Sequence, residues 1–236
     1  MGVVKAELKR KAAKVHRVLL QIYGKPVRKT PLLPLDELVS TILSQNTNDS
    51  NRDRAFDSLR STFGDWAAVR DAPMEAVITA IRSAGLANQK GPRIQQVLRQ
   101  ITAERGELSL HFLGRLPVEE ARQWLLRFKG VGPKTAAIVL LFALQRPAFP
   151  VDTHVHRVTG RLGLRPCRMS AEAAHPHFEA VFQHRHYYAV HMNLIRLGRE
   201  ICRARRPRCP ECALRSFCDY WNVARASAPD VGGAEA

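Results

Sequence analysis

The stretch from Gly130 to Asp152, GVGPKTAAIVLLFALQRPAFPVD, places a lysine and an aspartate eighteen residues apart. Gly130 and Gly132 favour a tight turn, and the following Pro133 is typical of the first position of a helix. A helix that begins after such a turn directs unpaired N–H groups and partial positive charge outward, which suits a phosphate. Lys134 falls in the first helical turn, beside any phosphate that binds there.

Asp152 precedes a second predicted helix. Val155, Val158 and Leu162 recur after it at the spacing of one helix face. The structural interpretation of Asp152 is a helix cap, whose carboxylate accepts from helix N–H groups. These hydrogen bonds also keep a carboxylate ionised, and an ionised carboxylate can stabilise a cationic transition state. Capping and catalysis are therefore compatible.

Four of the five cysteines lie close together and Cys167 lies apart; the four are Cys202, Cys209, Cys212 and Cys218, spaced C-x6-C-x2-C-x5-C. Four thiolates from one short segment can hold zinc or an iron–sulfur cluster. Zinc sites more often pair two C-x-x-C knuckles, and here there is one. Arg203, Arg205 and Arg206 follow the first cysteine. A loop fixed at both ends by metal ligands would hold these arginines ready for phosphate contacts.

The string LLRFKGVGPKTA, the segment FPVDTHVHRV and the cysteine spacing together resemble the DNA glycosylase superfamily with a helix-hairpin-helix and Gly/Pro-Asp motif. Within it they resemble the endonuclease III family. The resemblance implies that Lys134 is the catalytic lysine, that Asp152 is the catalytic aspartate, and that the four cysteines bind a [4Fe-4S] cluster. The hairpin residues that it implies in DNA binding are Gly130, Val131, Gly132 and Thr135.

Two further segments are implied in DNA binding because a damaged base must be flipped out of the duplex to react. In the family a polar side chain, usually a glutamine, fills the resulting gap. The family's glutamine corresponds to the position after Gln45, which is Asn46 in this chain, so either Gln45 or Asn46 is expected to fill the gap here. Leu86, in GLANQK, matches the family's apolar wedge, although a leucine after a glycine is more often a core anchor. The chain departs from the family pattern at Lys129, where a proline is common, and in SQNTND.

Composition supports a nucleic-acid partner. The 236 residues carry 37 Lys+Arg against 21 Asp+Glu, a formal net charge of +16, and such an excess favours polyanions such as DNA. The amino end shows no signal peptide and the cysteines are expected to stay reduced. We therefore expect a cytoplasmic monomer with no membrane association.

No strand alternation is visible, so the predicted fold class is all-α. The resemblance implies two helical domains that flank a DNA-binding cleft. One is a six-helix bundle at 31–148 with the helix-hairpin-helix at about 116–145; the other joins 1–30 to 149–221 and holds the cluster. A disordered tail is expected at 222–236. The histidine-rich segment HPHFEAVFQHRH is interpreted as a solvated or DNA-facing surface.

The predicted function is that of a bifunctional DNA glycosylase and abasic-site (AP) lyase. It would excise oxidised pyrimidines such as thymine glycol from double-stranded DNA and nick the strand through a Lys134 Schiff base. Three alternatives share these features: a lyase acting mainly on abasic sites, a monofunctional mismatch or adenine glycosylase, and a non-catalytic iron–sulfur DNA-binding protein.

Overall fold

The protein was examined as a computed structural model that describes residues 6–28 and 30–226. In these ranges there is no β-strand, and the all-α prediction is confirmed. The α-helices are α1 Ala6–Tyr23, α2 Pro34–Leu43, α3 Asp49–Phe63, α4 Trp66–Asp71, α5 Met74–Ala80, α6 Ala87–Arg105, α7 Val118–Leu126, α8 Pro133–Ile138, α9 Thr153–Arg161, α10 Ala171–Val181, α11 Tyr187–Glu200 and α12 Asp219–Ala226. No helix within the described ranges is both long and apolar enough to cross a membrane.

The chain divides into two units, and residues 28–150 form the first. Helices α2 to α8 pack there around one apolar core. Its members include Leu38, Ile42, Leu59, Val69, Val77, Leu98, Leu125, Ala136 and Leu140, none of which is exposed. Burial of these side chains is the main term that holds the unit together, at roughly 1.5–3 kcal/mol for each large aliphatic group.

Side-chain caps set where α3 and α4 begin. The Asn48 side chain accepts from the Asn51 N–H, and the Asp65 carboxylate accepts from the Ala68 N–H at 2.7 Å. The cap at Asp65 starts a new helical turn directly after the Gly64 break, so α4 is separate from α3.

The second unit comprises the described parts of residues 1–27 and 151–236. It contains α1 and α9 to α12, with α11 packed against both α1 and α9. Asn193 of α11 donates its Nδ2 hydrogens to the carbonyls of Leu19 and Gly24 and so secures the end of α1. Residues 222–226, the first part of the tail predicted to be disordered, belong instead to α12; residues 227–236 lie outside the described residues.

Candidate functional site

The turn between α7 and α8 has the geometry that the glycines predict. Gly130 has a φ of +85°, a backbone conformation that favours glycine. The Val131 N–H donates to the Phe128 carbonyl at 3.0 Å, and the Val131 side chain, 5% exposed, packs into the core of residues 28–150. Thr135 is also buried. The side chains at positions 131 and 135 therefore support the hairpin from inside rather than facing solvent.

Lys134 lies in the first turn of α8, as predicted. Its side chain is half-buried, and its amine has no hydrogen-bond or ion-pair partner among the residues that the structure describes. No side chain caps this end of α8, whose N-cap residue is Gly132. Helix N–H groups without a side-chain acceptor are free to bind an anion. The amino end of α8 thus combines free backbone donors with an uncommitted amine.

The apolar run after Lys134 changes helix type. The α-helical geometry ends at Ile138 and continues as a π-helix over Val139–Ala143. The wider turn is held by a hydrogen bond from the Leu144 N–H to the Val139 carbonyl, and such π segments are frequent near functional sites.

Asp152 caps α9, as the sequence predicts. One carboxylate oxygen accepts from the Val155 N–H at 2.7 Å, and the side chain is half-buried. Val155 and Val158 are fully buried and fix the helix in its unit. The carboxylate is therefore held in one orientation by a helix that is itself firmly packed.

The two segments expected to enter the DNA are built differently. Gln45 is engaged at both ends of its amide: its Nε2 donates to the Gly130 carbonyl at 3.1 Å and its Oε1 accepts from Arg93 at 2.9 Å. Asn46 beside it is exposed, with a φ of +53°. Leu86 also has a positive φ of +50° and is 47% exposed. It is therefore not a core anchor, and exposure makes it available as a wedge.

The four cysteines of the quartet line one pocket. The volume of this pocket is about 380 Å³, including the part that is open to solvent. The other lining residues are Val158, Arg161, Leu162, Leu197, Ile201, Arg215, Tyr220 and Trp221. Burial raises the pKa values of the thiols of Cys209, Cys212 and Cys218, and the neighbouring cysteines raise them further. Four thiols around an otherwise largely apolar pocket fit the donor set of an iron–sulfur cluster.

The described residues contain no group of three or more His, Cys, Asp or Glu side chains arranged to hold a metal ion. The cofactor prediction therefore rests on the donor set and is not confirmed directly. Cys167 is exposed and does not line the pocket.

Two arginines of α9 fix the backbone between the first two cysteines. Arg161 donates to the carbonyls of Arg203 and Ala204 at 2.7 and 3.0 Å. Arg157 donates to the Cys202 carbonyl at 3.0 Å. The side chains of Arg203, Arg205 and Arg206 are exposed, so this loop presents its positive charge to solvent from a fixed backbone.

The burial of several polar residues around these segments was not predicted from the sequence. Lys90 lies inside α6 and is 1% exposed. His175 belongs to the segment interpreted as a surface, and this was wrong for it, because it is 3% exposed in α10. The spacing of residues along one helix does not reveal which polar side chains the other helices cover.

The hairpin turn between α7 and α8, the lysine in the first turn of α8 and the capping aspartate are the features on which the resemblance to a known family rests. The model of the HhH-GPD superfamily base excision DNA repair proteins matches residues 39–184. Endonuclease III of Sulfolobus acidocaldarius is 33% identical over 186 residues, which cover 78% of this chain and 81% of that protein. The chain belongs to the HhH-GPD superfamily of base excision DNA repair proteins, and within it to the endonuclease III family.

A solved structure of an endonuclease III in a non-covalent complex with DNA agrees in fold, with a TM-score of 0.78 and 25% identity over 93% of this chain and 99% of that one. A protein of Arabidopsis thaliana named as a DNA glycosylase is 48% identical over 132 residues, but the chain spans only 45% of its length. The predicted enzyme class, DNA glycosylase with AP lyase activity, is confirmed.

Proposed function

We propose that the protein is a bifunctional glycosylase and AP lyase that removes oxidised pyrimidines, such as thymine glycol, from double-stranded DNA. The observation that carries the proposal is Lys134: its side chain is half-buried, its amine has no partner among the described residues, and it lies in the first turn of a helix whose amino end no side chain caps. A nucleophile must keep its lone pair available.

The amine of Lys134, in its neutral form, attacks C1′ of the damaged nucleotide. The new N–C1′ bond forms as the glycosidic bond breaks, and the base leaves with that electron pair and takes up a proton. The nitrogen then loses a proton, the C1′–O4′ bond breaks and O4′ takes up a proton, which gives a protonated Schiff base between Lys134 and C1′. The Schiff base acidifies C2′; loss of a proton there forms the C2′–C3′ double bond and breaks the C3′–O bond, and the phosphate on the 3′ side leaves with the downstream strand.

Asp152 supplies the negative charge that these reaction steps need. Positive charge develops on the sugar as the base departs, and a fixed carboxylate stabilises it without reorganisation. The hydrogen bond from the Val155 N–H holds the carboxylate in place. In the same proposal Leu86 and the loop around Asn46 fill the space left by the flipped nucleotide.

We also propose that the four thiols lining the pocket, of Cys202, Cys209, Cys212 and Cys218, hold a [4Fe-4S] cluster. The cluster's contribution is structural: it crosslinks the segment and fixes the arginine loop for phosphate contacts. Cys209→Ser is expected to lower both thermal stability and affinity for undamaged duplex DNA, together with the iron and sulfide content. Wild-type DNA binding by a cluster-free protein would contradict this role.

Borohydride trapping tests the chemistry directly. A duplex with one thymine glycol and a duplex with one abasic site are each incubated with the protein and reductant. We expect a covalent protein–DNA adduct on both, because reduction converts the Schiff base into a stable amine.

Lys134→Gln is expected to abolish both adducts. Lys129→Gln is the matched control, since it removes an exposed lysine five residues away in the same hairpin and should leave trapping intact. Trapping on the abasic duplex alone would identify mainly a lyase, and base release without any adduct would identify a monofunctional glycosylase. DNA binding with neither reaction would leave the non-catalytic alternative.

A further inference from the structure

One helix contacts all three segments that the proposed function assigns to damaged DNA. Lys90 of α6, 1% exposed, donates from its Nζ to the carbonyls of Leu43 at 2.7 Å and Ala84 at 2.8 Å. Leu43 is the last residue of α2 and directly precedes the polar loop of Gln45 and Asn46. Ala84 lies two residues before Leu86. A single buried amine is therefore hydrogen-bonded to the backbone beside both gap-filling segments.

The Lys90 amine is well matched to these two acceptors. The carbonyls at a helix end carry partial negative charge and have no intrahelical partner, so a buried cation at the end of α2 is stabilised there. Burial lowers the pKa of Lys90, and the Arg93 guanidinium lowers it further. Without the amine, the carbonyls of Leu43 and Ala84 would be left unsatisfied in the interior.

Arg93, one helical turn further along α6, reaches the third segment. It donates from Nη1 to the Oε1 of Gln45 at 2.9 Å, and Gln45 donates onward from Nε2 to the Gly130 carbonyl at 3.1 Å. A Cβ at Gly130 would lie 2.1 Å from Nε of Arg93, so the side chain also packs directly on the hairpin turn. Arg93 is thus connected to the polar loop and to the hairpin by contacts within one unit.

We propose that Lys90 and Arg93 are positioning residues that fix the polar loop, Leu86 and the hairpin turn in the arrangement that recognises an extruded nucleotide. This assignment rests on the proposed function. It also resolves which side chain of the polar loop enters the DNA. The Gln45 amide is occupied at both ends, whereas Asn46 is exposed, so Gln45 holds the loop and Asn46 fills the gap.

The test compares binding to two duplexes, one undamaged and one with a tetrahydrofuran residue, an abasic analogue that the Lys134 amine cannot convert. Arg93→Met should lower the preference for the tetrahydrofuran duplex by about tenfold, as expected for loss of one hydrogen bond to a charged group. Arg99→Met is the matched control, because it removes an exposed arginine from the same helix. It should weaken binding to both duplexes equally through lost charge.

The positioning role separates from a purely structural one in a double-mutant cycle. If Arg93 acts through Gln45, the effects of Arg93→Met and Gln45→Ala on the preference should not add. Arg93→Lys is the second variant, in case Arg93→Met lowers stability: it keeps the charge but lacks the guanidinium fork. Loss of preference at an unchanged Tm supports positioning.

An unchanged preference in Arg93→Met, or an equal loss on both duplexes, would overturn the assignment, as would additive effects in the cycle. A wild-type protein with no preference for the tetrahydrofuran duplex would instead contradict the proposed function, and the inference with it. Asn46→Ala should lower the preference without lowering Tm; a wild-type preference in this variant would overturn the role given to Asn46.

Discussion

Helices α8 and α9 each carry one of the proposed catalytic residues at the amino end, yet they begin in opposite ways. No side chain caps α8, which starts after Gly132, and Lys134 has no partner among the described residues. By contrast, α9 is capped by the carboxylate of Asp152, which accepts from the Val155 N–H. One helix start leaves its reactive group uncommitted, and the other commits it to the helix.

The difference matches what the two groups must do. A nucleophile has to move with the substrate as its new bond forms, and a bonded amine would have to break that bond first. A carboxylate that stabilises charge works best when it is already fixed, because no reorganisation is then needed in the transition state. A helix cap therefore provides Asp152 with its orientation.

The largest effect should come from removing the charge of Asp152 while keeping the cap. Asparagine caps helices about as well as aspartate, so Asp152→Asn should leave Tm nearly unchanged. Base excision should fall by about 10²–10⁴-fold, the range of a positioned catalytic group. Single-turnover kinetics on a thymine glycol duplex measure it; wild-type rates would mean that Asp152 is only a cap.

The next effect concerns the two glycines before α8. Gly130→Ala should cost about 1–2 kcal/mol of stability from its positive φ alone, and the added Cβ would also displace Arg93. Gly132→Ala meets nothing within 4 Å at a φ of −96° and should change stability by less than about 0.5 kcal/mol. Urea unfolding compares them. Equal losses would show that the turn is not held by Arg93 and the Gly130 backbone.

The smallest effect isolates the cap itself. Asp152→Ala should lower stability by about 1 kcal/mol beyond Asp152→Asn. Ser170→Ala is its matched control, since Ser170 caps α10 by accepting from the Ala173 N–H at 3.1 Å. In that variant the free energy of unfolding should fall by a similar amount, and the rate of base excision should not change. If Ser170→Ala also slowed excision, loss of a cap alone would explain part of the Asp152 effect.

The local features of the site follow from short segments of the chain. Four features depend on residues a few positions apart: the Gly-Val-Gly-Pro turn, the position of Lys134 in the first turn of α8, the cap at Asp152 and the all-α class. Their backbone preferences are largely local, so a single chain segment expresses them. The resemblance added roles for Lys134, Asp152 and the cysteines that local patterns alone left open.

Which polar groups lie inside depends on how the helices pack in three dimensions. Lys90 follows the segment 83–89 in the sequence, yet it is buried, because its amine donates to a carbonyl at the end of α2 and to the carbonyl of Ala84. His16 is 8% exposed, and burial followed by the nearby His186 lowers its pKa to about 4. Gln45 and Asn46 are neighbours with similar side chains, and only Arg93 and Gly130, far along the chain, distinguish them. Burial and long-range hydrogen bonds depend on what the other helices bring, which no local pattern contains.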